Sequence, residues 1–188
     1  MSPIRAAIVD APHAVAFAKS VRPTGTMISL PCDPAEGESQ LDCFRIVTER
    51  VSAAGGRMVL GWAIWEWPGA FIEAEFHAVW ENPAGDLIDI APRPFEFSSI
   101  AFVPDSRLVD TGRLVDNIRQ PLVDDKDVKQ FLFLAKRRTE ILNHPSIVEL
   151  FGDIDLSLLP KALVKELRDQ VKTLARLELR LMRRYPPK

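Results

Sequence analysis

The stretch IEAEFHAVWENPAGDLIDIAP, residues 72–92, constrains the fold more than any other part of the chain. Apolar and polar residues alternate along residues 71–80 and again along 86–91, and this period of two predicts two β-strands. The Asn-Pro-Ala-Gly segment at 82–85 is typical of a type I turn that closes a three-residue hairpin with glycine in the left-handed conformation. We therefore expect an antiparallel hairpin here.

This hairpin predicts which polar side chains share a face of the sheet. If Asn82 pairs with Asp86, then Asp89 lies opposite Val79 and diagonal to His77 on the same face. Side chains in a diagonal position are within reach of each other. The predicted register therefore brings a histidine and a carboxylate together, and a shift of one residue would separate them.

The length and composition are those of an ordinary globular protein. The chain has 188 residues, enough for one domain with a substantial core, and 47% of them are apolar and 27% charged. No apolar run is long enough to span a membrane, and the N-terminal residues lack the pattern of a signal peptide. Two cysteines are too few for a disulfide framework, so we expect a cytoplasmic protein.

The net charge of −2 hides an uneven distribution of charge along the chain. Residues 161–188 contain nine Lys or Arg and three acidic residues, so residues 1–160 carry a net charge of −8. The low overall charge predicts no binding to nucleic acid. The basic helix expected at 160–184 is a candidate surface for a protein partner, although basic residues beside an apolar stripe more often form a solvated face.

Apolar periodicity and turn signals predict the remaining elements. Helices are expected at residues 11–21, from about 40 to 54, at 126–143, in a short segment opened by the capping pattern Ser146-x-x-Glu149, and at 160–184. Strands are expected at 57–67 and 99–103, with loops at 23–40 and 107–125. The apolar stripe of the last helix is predicted to comprise Leu163, Leu167, Val171, Leu174, Leu177 and Leu181.

These elements predict an α+β fold in which a helix packs on an antiparallel sheet. We expect residues 1–125 to form an α+β core of the type found in catalytic domains. Residues 126–188 are expected to form a helical C-terminal extension packed on or beside that core.

Cys43 is the candidate nucleophile. Ser39 and Asp42 form a pattern close to a capping box, which places Cys43 in the first turn of a helix. The free N–H groups of a first turn favour the thiolate, the reactive form of cysteine. His77 could activate the sulfur, and Asp89 could hold the imidazole in one tautomer. The alternatives are a buried Cys43 that only fills space and a His77 exposed on a solvated sheet face.

The order of these motifs resembles that of the transglutaminase-like superfamily. The resemblance covers about residues 39–92: the helix with Cys43, then Gly55, Gly56 and Arg57, a strand with Gly61 and Trp62, the segment FHAVW at 76–80, a turn, and LIDIAP at 87–92. It implies a papain-like α+β core with a Cys-His-Asp triad. By position it makes Cys43 the nucleophile, His77 the general base and acid, and Asp89 the orienting carboxylate.

The expected function is that of a cysteine-dependent hydrolase or acyl transferase that acts on an amide or isopeptide bond through a thioester, with a peptide or protein as substrate and without a cofactor. The backbone N–H of Cys43 is a candidate oxyanion donor, and Gln40 is a second one. The four tryptophans are expected in the core, although Trp62 and Trp80 are also candidates for a cleft wall.

Two other functions remain open from the sequence. The first is a non-catalytic protein-binding domain that uses the basic C-terminal helix. The second is a metal site, because Glu73, Glu75 and His77 alternate on one strand with Asp89 beside them, and carboxylates with imidazole suit Mn, Fe or Zn.

Overall fold

The computed structural model describes residues 3–38, 42–147 and 155–187, which form an α+β fold around an open antiparallel sheet. The strands are β1 (Arg5–Ala6), β2 (Ile28–Pro31), β3 (Arg57–Trp67), β4 (Phe71–Glu81), β5 (Leu87–Ile88), β6 (Ser99–Pro104) and β7 (Ile118–Pro121). The helices are α1 (Pro12–Val21), α2 (Cys43–Ala54), α3 (Lys126–Leu142) and α4 (Lys161–Arg184), with one 3-10 turn at Leu156–Leu158.

The long hairpin of β3 and β4 forms the centre of the sheet. The two strands pair along their whole length, from Arg57 with Glu81 to Trp67 with Phe71. The strand order is β2-β6-β3-β4-β5, while β1 pairs with β3 and β7 with β4. At Gly61 a Cβ atom would lie 2.4 Å from the carbonyl oxygen of Val103, so glycine is what lets β6 approach β3 this closely.

The predicted register of the second hairpin, β4 with β5, is confirmed. Trp80 pairs with Ile88, and the Asn82 N–H donates to the Asp86 carbonyl at 2.9 Å. Gly85 closes the turn with φ of 92°. However, β5 ends at Ile88, which is earlier than the predicted strand, because the next residue, Asp89, pairs with the end of β2: its N–H donates to the Pro31 carbonyl at 3.0 Å.

Three short strands were not predicted from the sequence. β1, β2 and β7 are two to four residues long, and each is held by a partner strand that is distant in the sequence. β7 lies within the segment 107–125, and most of its residues are exposed, so it lacks the alternation that marks a half-buried strand. Pairing with existing strands, rather than local propensity, therefore creates these elements.

The helices cover both faces of the central hairpin. Even-numbered residues of β4 point to one face, where Phe17 of α1 joins Ile72 and Phe76, and where Val47 of α2 joins Ala78. On the other face, α3 and α4 pack on the Trp67 end of the hairpin. Ser39 and Glu149, which complete the two predicted capping boxes, lie outside the described residues.

The long helix α4 packs through a seam of four buried residues, which lie three, seven and four positions apart: Leu167, Gln170, Leu177 and Leu181. Leu167, Leu177 and Leu181 are buried, as predicted. Val171 is 58% exposed, so its predicted place in the stripe is wrong. Gln170 occupies the buried position instead, because it is the residue that lies three after Leu167 and seven before Leu177. No helix among the described residues is long and apolar enough to cross a bilayer.

Truncation of the seam should destabilise the protein strongly. Leu177 is 0% exposed, whereas Leu179, on the same helix, is 59% exposed. We expect Leu177→Ala to lower the free energy of unfolding by about 2–5 kcal/mol because it leaves a cavity. Leu179→Ala should change it by less than about 0.5 kcal/mol. Urea denaturation of the two variants measures the difference, and equal effects would contradict this packing.

Candidate active site

Cys43 is the first residue of α2, at the end of the helix where backbone N–H groups are free. The first bond of the helical ladder runs from the Ile46 N–H to the Asp42 carbonyl, so the N–H groups of residues 43–45 precede it. The Asp42 carboxylate at the N-cap does not accept from the backbone N–H groups of the first turn; it accepts instead from the Arg45 side chain at 2.5 Å. The Cys43 sulfur therefore lies at the positive end of the helix dipole.

His77 lies near the middle of β4 and contacts both other candidate residues. Its Nε2 atom is 2.8 Å from Oδ1 of Asp89, and the two side chains are only 3% and 1% exposed. Cys43, itself buried, lines the same cleft as His77 and is close enough to the imidazole to contribute to its raised pKa. The fold thus brings Cys43, His77 and Asp89 together, and His77 does not lie on a solvated face as the alternative interpretation required.

An opening in the sheet allows this contact. β7 pairs with β4 at residues 71–74 and β5 pairs with it at 80–81, whereas residues 75–79 pair only with β3 among the described strands. α2 covers the face that carries Ala78, and His77 projects from the opposite face. Because none of the described strands covers this edge of β4, the Cys43 side chain of α2, on one face of the sheet, can reach the His77 imidazole, which projects from the opposite face.

The electrostatics of the site favour a protonated His77. Burial alone disfavours the charged imidazole, but the charge of Asp89 and hydrogen bonds to Asp89 and Cys43 outweigh it and raise the pKa of His77 to about 10. Burial likewise tends to raise the pKa of Asp89, but the charges of His77 and Arg93 and the bond from the Ala91 N–H keep it below its ordinary value. At neutral pH the buried pair is therefore an imidazolium and a carboxylate.

Arg93 is a fourth member of the site, which the sequence did not reveal. Its guanidinium lies 3.5 Å from Asp89, 3.1 Å from Glu75 and 3.4 Å from Nε2 of His77. It also stacks over the Trp65 ring at 4.4 Å. The only sequence signal was its position four residues after Asp89, in a proline-rich segment with no periodic pattern.

The carboxylates that suggested a metal site have other partners. Glu73 accepts from Arg119 and Asn117, and Glu75 accepts from Arg93 and the Trp65 indole. Burial raises the pKa of Glu73, although Asn117 and Arg119 oppose that rise. Among the described residues, no group of three or more His, Cys, Asp or Glu side chains is placed to hold a metal ion.

The two tryptophans that were candidates for a cleft wall do not lie beside the sulfur. Trp62 is buried against Phe76, with ring centroids 6.0 Å apart, and Trp80 donates to the Gly55 carbonyl beneath Arg50. Neither lines the cleft beside Cys43. Gln40, the second candidate oxyanion donor, lies outside the described residues.

A cleft of about 230 Å³ opens beside Cys43 and His77. Phe44, Phe76 and residues 91–94, which follow Asp89, line it. Residues of the segment 110–117, which carried no recognisable motif in the sequence, line it as well. The irregular segment therefore contributes a wall to the site, a role that only the tertiary structure reveals.

No protein-family model, curated protein or solved structure matches this chain.

The raised pKa of His77 can be measured directly. Of the three histidines, we expect His77 to titrate near pH 10 by NMR of the ring carbons. Because the folded chain binds this proton more tightly than the unfolded chain, the proton adds stability below about pH 6.5, and this contribution is lost as the pH rises towards 10.

Asp89→Asn should lower the midpoint of the His77 titration, because it removes the charge that stabilises the imidazolium. His13→Gln, a change at an exposed histidine on α1, serves as the assignment control. A wild-type midpoint at or below 6.5 would contradict the proposed charge state.

Proposed function

We propose that this protein is a cysteine-dependent hydrolase or acyl transferase that acts on an amide or isopeptide bond in a peptide or protein. The observation that carries the proposal is the buried contact of Cys43 with His77, whose other partner is the Asp89 carboxylate at 2.8 Å. A cysteine at a helix start, a histidine and an orienting carboxylate together form the constellation of nucleophilic thiol catalysis.

The proposed reaction begins with attack of the Cys43 thiolate on the carbonyl carbon of the substrate. The resulting oxyanion is within reach of the free N–H of Cys43 at the helix start. His77 gives its proton to the leaving amine as the C–N bond breaks, which leaves a thioester. Water or a second amine then attacks the thioester and passes a proton to His77, and the C–S bond breaks to release the thiolate.

Asp89 and Arg93 hold the imidazole for this proton transfer. Asp89 binds Nε2, so Nδ1 is the ring nitrogen left for the sulfur and the reacting groups. Arg93 lies against the other oxygen of Asp89 and is itself held by Glu75 and Trp65. The ring therefore has one orientation set by several contacts, which is the condition for efficient general acid and base catalysis.

The fold type that we propose for this core is papain-like. Its support is the packing of the Cys43 helix on an antiparallel sheet, with His77 on one strand and Asp89 just after the next. The resemblance of residues 39–92 to the transglutaminase-like superfamily points to the same arrangement.

Alkylation kinetics test the activated thiol. We expect iodoacetamide to modify Cys43 at pH 6.5 about tenfold or more faster than free cysteine, of which only about 1% is thiolate at this pH. Cys32 is an internal reference, because burial and the charge of Asp89 raise its pKa to about 11. Peptide mass spectrometry at several pH values follows each cysteine separately.

His77→Gln should reduce the rate at Cys43 to that of an ordinary thiol, because it removes the imidazolium beside the sulfur. His144→Gln is the matched control, since His144 lies after α3 and outside the cleft. If Cys43 reacts no faster than free cysteine, or if His77→Gln leaves its rate unchanged, the proposal fails.

A second candidate function, binding of an acidic protein partner, is favoured by one observation on α4. Five basic residues are exposed on one face of this helix, at spacings of four or seven residues: Lys161, Arg168, Lys172, Arg176 and Arg183. Most other arginines of the chain are held in ion pairs, but the three on this face have no partner among the described residues.

Charge reversal tests this surface. We expect wild-type protein to bind fluorescent poly-glutamate with strong salt dependence, and the variant Arg168→Glu/Lys172→Glu/Arg176→Glu to lose this binding. Lys136→Glu/Arg138→Glu on α3 is the control, because both residues are exposed and lie off the α4 face. Equal losses in both variants, or stronger binding of duplex DNA than of poly-glutamate, would contradict an acidic protein partner.

A further inference from the structure

We propose that the cleft beside Cys43 selects an acyl group with one apolar side chain, aliphatic or aromatic. This inference rests on the proposed function, because it names the class of substrate that the same thiol would attack. It is carried by the lining of the cleft, by its size and by the way in which one wall is fixed.

Apolar side chains from two distant parts of the chain line the cleft. Phe44 and Phe76, whose ring centroids are 5.0 Å apart, lie on the side of the Cys43 helix. Leu114 and Val115 come from the segment 110–117 and are 37% and 39% exposed. Exposed apolar residues gathered at a cleft that already holds a nucleophile are best explained by a ligand that buries them.

The charged residues at the cleft give it no net charge that would favour an ionic side chain. Arg93 is held between Glu75 and Asp89, and its side chain is only 15% exposed. Asp110 and Arg113 carry opposite charges three residues apart; Asp110 accepts from the Gly112 N–H, and Arg113 donates to the Ile147 carbonyl. An ionic side chain of either sign would therefore meet both an acid and a base, whereas an apolar side chain gains burial.

The size of the cleft fits a single large side chain. Its volume of about 230 Å³ is below the range of about 300–1,000 Å³ that is typical of pockets for drug-sized ligands. One aliphatic or aromatic residue next to the attacked carbonyl would fill it.

The helical C-terminal region fixes the wall that carries Leu114. The Asn143 amide, at the end of α3, donates to the Leu114 carbonyl at 2.7 Å. The Arg113 guanidinium donates to the Ile147 carbonyl at 3.1 Å. Both bonds tie the segment 110–117 to the residues that follow α3, so the position of this wall depends on that end of the helix.

Chloromethyl ketones of N-acetylated amino acids test this specificity, because the sulfur attacks next to a carbonyl that carries the chosen side chain. We expect phenylalanine and leucine reagents to modify Cys43 about tenfold or more faster than the glycine reagent, as burial of an apolar side chain predicts. Lysine and glutamate reagents should be no faster than glycine. Competition by N-acetyl-phenylalanine amide should slow the phenylalanine reagent more than iodoacetamide.

Variants on the 110–117 wall supply the structural test. Leu114→Asp should reduce the preference for phenylalanine over glycine to about onefold; because the preference is the ratio of two rates in the same variant, any change in the reactivity of the thiol itself cancels. Val109→Asp is the matched control, because Val109 is 71% exposed and lies outside the cleft. Asn143→Ala should reduce the preference without placing a charge in the cleft.

The outcomes separate the two proposals. Fast labelling by iodoacetamide with equal rates for all side chains, or with the fastest rate for lysine or glutamate, overturns the apolar cleft and leaves the activated thiol intact. Slow labelling by every reagent, iodoacetamide included, overturns both. A retained preference in Leu114→Asp also overturns the assignment of this wall.

Discussion

The buried pair of His77 and Asp89 is the contact on which the site depends. Two ionisable side chains that are 3% and 1% exposed would be costly to bury apart, and their mutual contact at 2.8 Å offsets that cost. β5 ends just before this contact, because Asp89 leaves the hairpin to join the end of β2 through its backbone. The pair holds the imidazole at residues 75–79 of β4, where β3 is the only strand paired with β4 among the described residues.

Around this pair, charges are matched in a chain of contacts. Arg93 connects Asp89 to Glu75, and Glu75 accepts from the Trp65 indole, while Glu73 is matched by Arg119. Each carboxylate on this face of β4 therefore has a cationic or N–H partner. The same alternation of Glu73, Glu75 and His77 that suggested a metal site is thus a row of paired groups that supports the orientation of His77.

The helical region is structurally continuous with the site. α3 and α4 pack on the Trp67 end of the central hairpin, and the indole of Trp67 donates to the Tyr185 carbonyl at 2.8 Å. At its other end, α3 holds the segment that forms a wall of the cleft, through Asn143. The end of α3 and the wall of the cleft are therefore joined by direct hydrogen bonds.

The sequence alone determined the long helices, the central strands and the register that puts His77 and Asp89 on one face, because periodicity and turn chemistry are local signals. It also placed Cys43 at a helix start. Only the tertiary structure decided that these residues are buried and in contact, that Arg93 joins them, and that segment 110–117 forms a wall. β1, β2 and β7 likewise exist through pairing with distant strands, because such contacts depend on the whole fold and leave no periodic pattern in the chain.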